Sequence, residues 1–130
     1  WSAAVKTAAE EPFIGSGPGT FQVAYKRHRP PEAEPTRLTH NDYLQQASDS
    51  GVPGFLMYLA FFGGATWVLA RRRMAEPVHV AMRLGLLAWV LQGAVEFGLY
   101  IPALAWPAWL MLGWLLALPT NQIDKSTVTE

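Results

Sequence analysis

Between residues 54 and 119 apolar positions run in long stretches broken chiefly by the charged segment 71–83, whereas the first fifty residues mix short apolar groups with charges and prolines. Residues 54–70, GFLMYLAFFGGATWVLA, carry no charge, and at a rise of about 1.5 Å per residue they make about 25 Å of helix. With Val52 and Pro53 in front, this nearly crosses a bilayer core. Residues 84–100 (LGLLAWVLQGAVEFGLY) and 103–119 (ALAWPAWLMLGWLLALP) are two further runs, the former apolar all round except for Gln92 and Glu96. Helices hydrophobic on every side are the mark of a membrane rather than of an amphipathic soluble core. The pattern predicts an all-α integral membrane protein, in which a polar segment with short helices (1–52) precedes three transmembrane helices at about 53–70, 83–100 and 103–119.

Charge placement gives this arrangement a direction. Arg71, Arg72 and Arg73 follow the first span and Arg83 precedes the second, so the Arg-rich loop 71–82 is expected in the cytoplasm. Residues 1–52 then face the periplasm or exterior of a bacterium. The second and third spans meet at the outer surface around Ile101 and Pro102, and 120–130 form a cytoplasmic tail. Trp67, Trp89, Trp106, Trp109 and Trp114 read as interfacial anchors or packing. Glu96 stands apart: a carboxylate inside a span is costly. It is expected on the same helical face as Gln92, four residues earlier, either functional or solvated near the outer end of the span.

Within 1–52, Ala4, Val5 and Ala8 have helical spacing, and the helix should end near Pro12. GSGPGTF (15–21) lacks both G-x-G-x-x-G spacing and a following Gly-Lys-Ser/Thr, so it is read as a tight turn and not a nucleotide loop. It should lead into an alternating, strand-like run of Phe21, Val23 and Tyr25. KRHRPPEAEPTR (26–37) reads as an exposed flexible loop. In THNDYLQQASDSGVPG (39–54), Asn41 or Asp42 can cap a helix with Tyr43, Leu44 and Ala47 on one face, and Gly51 with Pro53 supplies a stop. His40 then lies at a helix mouth, where N–H groups favour phosphate-like anions and the dipole favours a neutral, proton-accepting imidazole.

Composition removes several function classes. Ten basic residues balance ten acidic ones, so no net field draws the chain to nucleic acid. Cysteine is absent, which excludes disulfides and thiolate metal sites. His28 and His79 lie far from His40 in the expected topology, so no metal set is expected. The chain opens on Trp1 without a signal-peptide pattern and reads as a C-terminal part of a larger membrane protein.

His40-Asn41, nine residues, Gly51, two residues and Gly54 resemble the signature H-[NSQ]-x9-G-x-x-[GTY] of the O-antigen ligase superfamily. This group includes lipopolysaccharide O-antigen ligases, related O-antigen polymerases and bacterial O-oligosaccharyltransferases. PFIGSGPGTFQVAY (12–25) looks like the family's glycine-rich segment ahead of the histidine, and Glu96-Phe97 with Ile101-Pro102-Ala103 looks like a stretch of its late spans. The likeness extends over nearly the whole chain. The sequence departs from it at Asp49-Ser50, where many relatives carry glutamate, and at Gln92, where many carry histidine.

The resemblance implies an inverting glycosyltransferase of the bacterial inner membrane, working on its periplasmic or exterior side. It would move a glycan from an undecaprenyl diphosphate carrier to a hydroxyl on a glycan, lipid A-core or protein acceptor, with no cofactor, nucleotide sugar or required metal. By the same resemblance His40 is the candidate base; Arg37 is a candidate to meet the leaving diphosphate, as are Arg27 or Arg29, although these two read more readily as solvated loop charge. Asn41 orients His40 or a sugar, or simply caps the helix; Tyr43 stacks on sugar or packs; Glu96 touches substrate. Two readings from other classes stand beside this one: a transporter or channel with Glu96 and Gln92 along its pathway, and a noncatalytic subunit of a polysaccharide export complex.

Overall fold

The structure is a computed structural model that describes residues 1–119; the expected cytoplasmic tail 120–130 lies outside the described residues. Those residues form helices α1 (Ser2–Glu10), α2 (Phe21–His28), α3 (Asp42–Arg71), α4 (Pro77–Gln92) and α5 (Pro102–Ala117), without a strand among them. The all-α expectation therefore holds, and the strand-like run does not. Phe21 and Ala24, three residues apart, are buried while Val23 is exposed, so the segment follows the helical period. Its first turn is set up by Thr20, whose carbonyl accepts from Val23 N and Ala24 N. In α1 the buried face is Ala3, Ala4 and Thr7, and Val5 points outward. The sequence 26–37 is not wholly loop, because α2 runs on to His28.

The 30-residue α3 is two arms joined at Gly51, whose φ of 67° and ψ of −174° are not helical. The stop expected at Gly51 and Pro53 is thus a bend. One residue departs from helical geometry, and Pro53 falls in the first turn of the second arm, where its missing N–H breaks no hydrogen bond. The arms fold toward each other, bringing the rings of Tyr43 and Tyr58 to 5.5 Å.

The other long elements are shorter than expected. α4 starts at Pro77, inside the supposed 71–82 loop, and ends at Gln92. Residues 93–101 are turn, so Glu96 is not on a helical face with Gln92. α4 and α5 have 16 residues each, about 24 Å of helix. Among the described helices, α3 is long and apolar enough to cross a membrane, and little of its apolar stretch is buried inside the protein. The outward faces of α3, α4 and α5 are apolar too, with Met57, Trp67, Leu91, Trp106, Leu110 and Trp114 all more than 60 % exposed.

Behind those faces, Ala65, Leu69, Leu86, Ala108, Leu112 and Leu115 form the three-helix core. Its end farthest from His40 is closed by arginines, a role the topological reading of these residues did not include. Arg72 Nη1 donates to the carbonyls of Leu115, Leu116 and Leu118 at 2.8–3.1 Å, and Arg83 Nη1 donates to those of Leu69 and Arg72. The guanidinium groups satisfy C-terminal carbonyls that a helix leaves open. Arg72→Ala is expected to destabilise the fold by about 2 kcal/mol, read by thermal unfolding of the purified protein. Arg71, resting 4.2 Å above the Trp67 ring, should matter less, about 0.5–1 kcal/mol for an exposed cation–π contact.

Candidate active site

Local sequence places His40 at the start of α3 and backbone geometry aims it. Asn41 is the cap, its Oδ1 accepting from Leu44 N at 2.9 Å. Its Nδ2 donates to Ala94 O at 2.6 Å, so both ends of the amide are engaged in holding structure. His40, just outside the cap, has φ of 52°, a left-handed conformation that costs a non-glycine residue on the order of 1 kcal/mol. This turns its ring edge-on to Phe97 with centroids 4.5 Å apart. Its Nδ1 lies 3.4 Å from Glu96 Oε2. The two residues that the sequence singled out for chemistry thus meet across the fold.

The helix mouth is less open than its sequence suggests. Asp42 N donates to Gly93 O at 2.7 Å, and Leu44 N is taken by the cap. With two of the first N–H groups used internally, anion binding there has fewer free donors than the bare helix end would offer. Arg37 is exposed and makes no side-chain hydrogen bond or ion pair among the described residues. Arg29 braces its loop by donating to Ala33 O at 3.1 Å, while Arg27 lines a separate hollow with Glu10 and Glu11. Tyr43 donates through its hydroxyl to Val90 O at 2.8 Å and packs on Tyr58, which is a structural role. Among the described residues no cluster of three or more His, Asp or Glu could hold a metal ion.

A groove of about 500 Å³ opens beside His40, lined by Trp1, Tyr25, Glu34, Thr36 and Thr39 among others. Its mixture of aromatic rings, hydroxyls and a carboxylate suits a sugar.

Two carboxylates behind the histidine were not foreseen in their roles. Asp49 accepts from both Gln45 Nε2 and Gly19 N, with Tyr100 Oη at 3.4 Å, and so ties the glycine turn to α3 and to the turn before α5. Asp42 is buried; its Oδ2 accepts from Leu99 N at 3.0 Å while Oδ1 has no partner. Burial pushes the Asp42 carboxyl, which lies ahead of the bend in the polar arm of α3, up to about 6 against the lowering effect of backbone N–H groups. Gly93 and Gly98 flanking Glu96 were the available signal that this stretch is a turn.

The glycine turn docks on the bend. Gly15, Gly17 and Gly19 all have positive φ. Ser16 N donates to Ser48 O, Gly17 N to Asp49 O and Val52 N to Pro12 O, each at 2.7–3.0 Å. The His-Asn…Gly…Gly spacing therefore has a physical reading: a capped helical arm with the histidine at its mouth, ended by a glycine against which a second backbone packs.

Residues 1–59 match the O-antigen ligase family. The O-antigen ligase match takes in α1, α2, the glycine turn, His40 and the bend; Glu96-Phe97 and Ile101–Ala103, which the sequence reading also likened to the family, lie outside it. No curated protein and no solved structure matches the chain. A match to the O-antigen ligase family points to a membrane glycosyltransferase-like role in polysaccharide biosynthesis.

Proposed function

We propose that the chain is part of an inverting glycosyltransferase of the bacterial inner membrane, with the second arm of α3, α4 and α5 in the bilayer and His40 facing the periplasm or exterior. The donor is a glycan on undecaprenyl diphosphate and the acceptor a hydroxyl on a glycan, lipid A-core or protein. The observation that carries this reading is the His40–Glu96 contact, formed at the mouth of the helix whose first arm the O-antigen ligase match contains.

In the proposed step, the acceptor hydroxyl oxygen attacks the anomeric carbon from the face opposite the diphosphate. The carbon–oxygen bond to the diphosphate breaks, and the hydroxyl proton passes to His40 Nε2. Glu96, at Nδ1, fixes the ring and stabilises the imidazolium that forms, which revises its expected part as a direct substrate contact. Arg37 is placed three residues before His40 and, being uncommitted, is free to meet the leaving diphosphate. The groove beside His40 has room for the acceptor sugar.

The test is glycan transfer from an undecaprenyl diphosphate donor in membranes containing the full-length protein, wild type against His40→Ala at matched expression. Loss of transfer with the protein still inserted supports the base; retained transfer rejects it and leaves the motif structural.

A further inference from the structure

We infer that Asp42 is a positioning residue, whose buried carboxyl holds the turn 93–99 so that Glu96 stays on His40. The catalytic consequence rests on the reading of His40 as the base; the positional coupling does not.

The turn between α4 and α5 is joined to α4 by hydrogen bonds from Gly93 N to Trp89 O and from Val95 N and Glu96 N to Gln92 O, and runs on as non-helical chain from Phe97 to Ile101. Besides the Tyr100 hydroxyl, which meets Gln46 and Asp49 farther along α3, three hydrogen bonds fasten it to the start of α3. Asn41 Nδ2 donates to Ala94 O at 2.6 Å, Asp42 N donates to Gly93 O at 2.7 Å, and Leu99 N donates to Asp42 Oδ2 at 3.0 Å. These anchor points bracket Glu96 and Phe97, two on one side and one on the other. Asp42 takes part on both sides, through its backbone and its side chain.

The contact it serves cannot hold itself. The side chains of His40 and Glu96 are 57 % and 51 % exposed, and ion pairs in such settings contribute little because solvent screens them and two side chains must be ordered. Asp42, by contrast, is 1 % exposed. A Cβ on Gly93 would stand 3.3 Å from Asp42 Oδ2, so a glycine there leaves the carboxyl its close approach. The other oxygen is buried without a partner, and the group is kept in place against its preference for water. The other titratable side chains lining the groove beside His40 are Tyr25 and Glu34, and the Tyr25 hydroxyl donates to Glu34 O.

The test uses full-length protein labelled with 15N-histidine in detergent, the His40 resonances assigned by their loss in His40→Gln, together with kcat and KM for transfer. Asp42→Ala is expected to move the His40 Nδ1 resonance to the position seen in Glu96→Gln, with no further movement in the double variant. The same substitution should lower kcat by about 10-fold or more with KM little changed, because the base partner is displaced while the groove is not. Asp42→Asn should stay near wild type in both readouts, since its amide oxygen still accepts from Leu99 N. If Asp42→Ala does not fold, Gly93→Ala, which crowds the same oxygen, should displace the resonance in the same direction. An unmoved Nδ1 signal in a folded Asp42→Ala or Gly93→Ala protein would overturn the inference, as would Asp42→Asn behaving like Asp42→Ala. The spectrum needs no glycan transfer, so a His40 that proves dispensable for transfer leaves this coupling standing.

Discussion

Full-length protein carrying His40→Ala is expected to transfer glycan about 100-fold or more slowly than wild type, the usual scale for losing a general base. That corresponds to about 2.7 kcal/mol of barrier. The loss should fall on kcat, because a base acts as the acceptor hydroxyl attacks and adds little to the binding of substrate. His40 is exposed and its ring rests against Phe97 rather than in a packed core, so its removal should leave thermal stability nearly unchanged. Its left-handed backbone even favours His40→Gly in stability. Added imidazole should restore part of the lost rate in that smaller variant. A transfer rate within a few-fold of wild type in either variant, at equal inserted protein, would remove His40 from the chemistry.

Gly51→Ala is expected to be among the most damaging small substitutions in the fold. At φ of 67° and ψ of −174° the residue occupies a region essentially reserved for glycine, with a strain of about 1–3 kcal/mol for anything else. Its new Cβ would stand 2.7 Å from Pro12 O and 2.8 Å from the Phe13 carbonyl carbon, so the glycine turn would have to lift off α3, adding about 1–3 kcal/mol of overpacking. The sum, about 3 kcal/mol or more, should appear as a large drop in the unfolding temperature and as loss of transfer. Gly63→Ala is the control: nothing lies within 4 Å of its Cβ position, and alanine in a helix interior should be neutral or stabilising by up to about 1 kcal/mol. Equal behaviour of the two variants would mean that the bend does not depend on glycine.

What the sequence discloses depends on how local each cause is. The Asn41 cap, the end of α1 before Pro12 and the apolar runs follow from neighbouring residues, and they were legible. The misreadings share one physical origin, competition between local pattern and tertiary contact. Phe21, Val23 and Tyr25 alternate, but burial of Phe21 and Ala24 against α1 and α3 selects the helix. Gly51 and Pro53 look like an end, but the docked Pro12–Gly17 backbone lets the chain bend and resume its helix. Glu96 reads as the face of a span until Gly93 and Gly98 are seen to open a turn around it. His40 and Glu96 were each picked out by chemistry; that they touch is a property of the folded chain, set through Asn41, Asp42 and Leu99, and no periodicity in the sequence encodes it.

The arginine caps at the far end of the helix bundle bear on how a bulky lipid-linked substrate would gain entry. Arg72 ties the end of α3 to the end of α5, and Arg83 on α4 reaches the end of α3, all through backbone carbonyls, so the three helices are cross-tied at that end. The opposite end is joined by the 93–101 turn and by hydrogen bonds from Asn41, Asp42, Tyr43 and Gln46. Both ends of the bundle are thus clasped, and the opening at His40 is the groove beside it rather than a gap between helices.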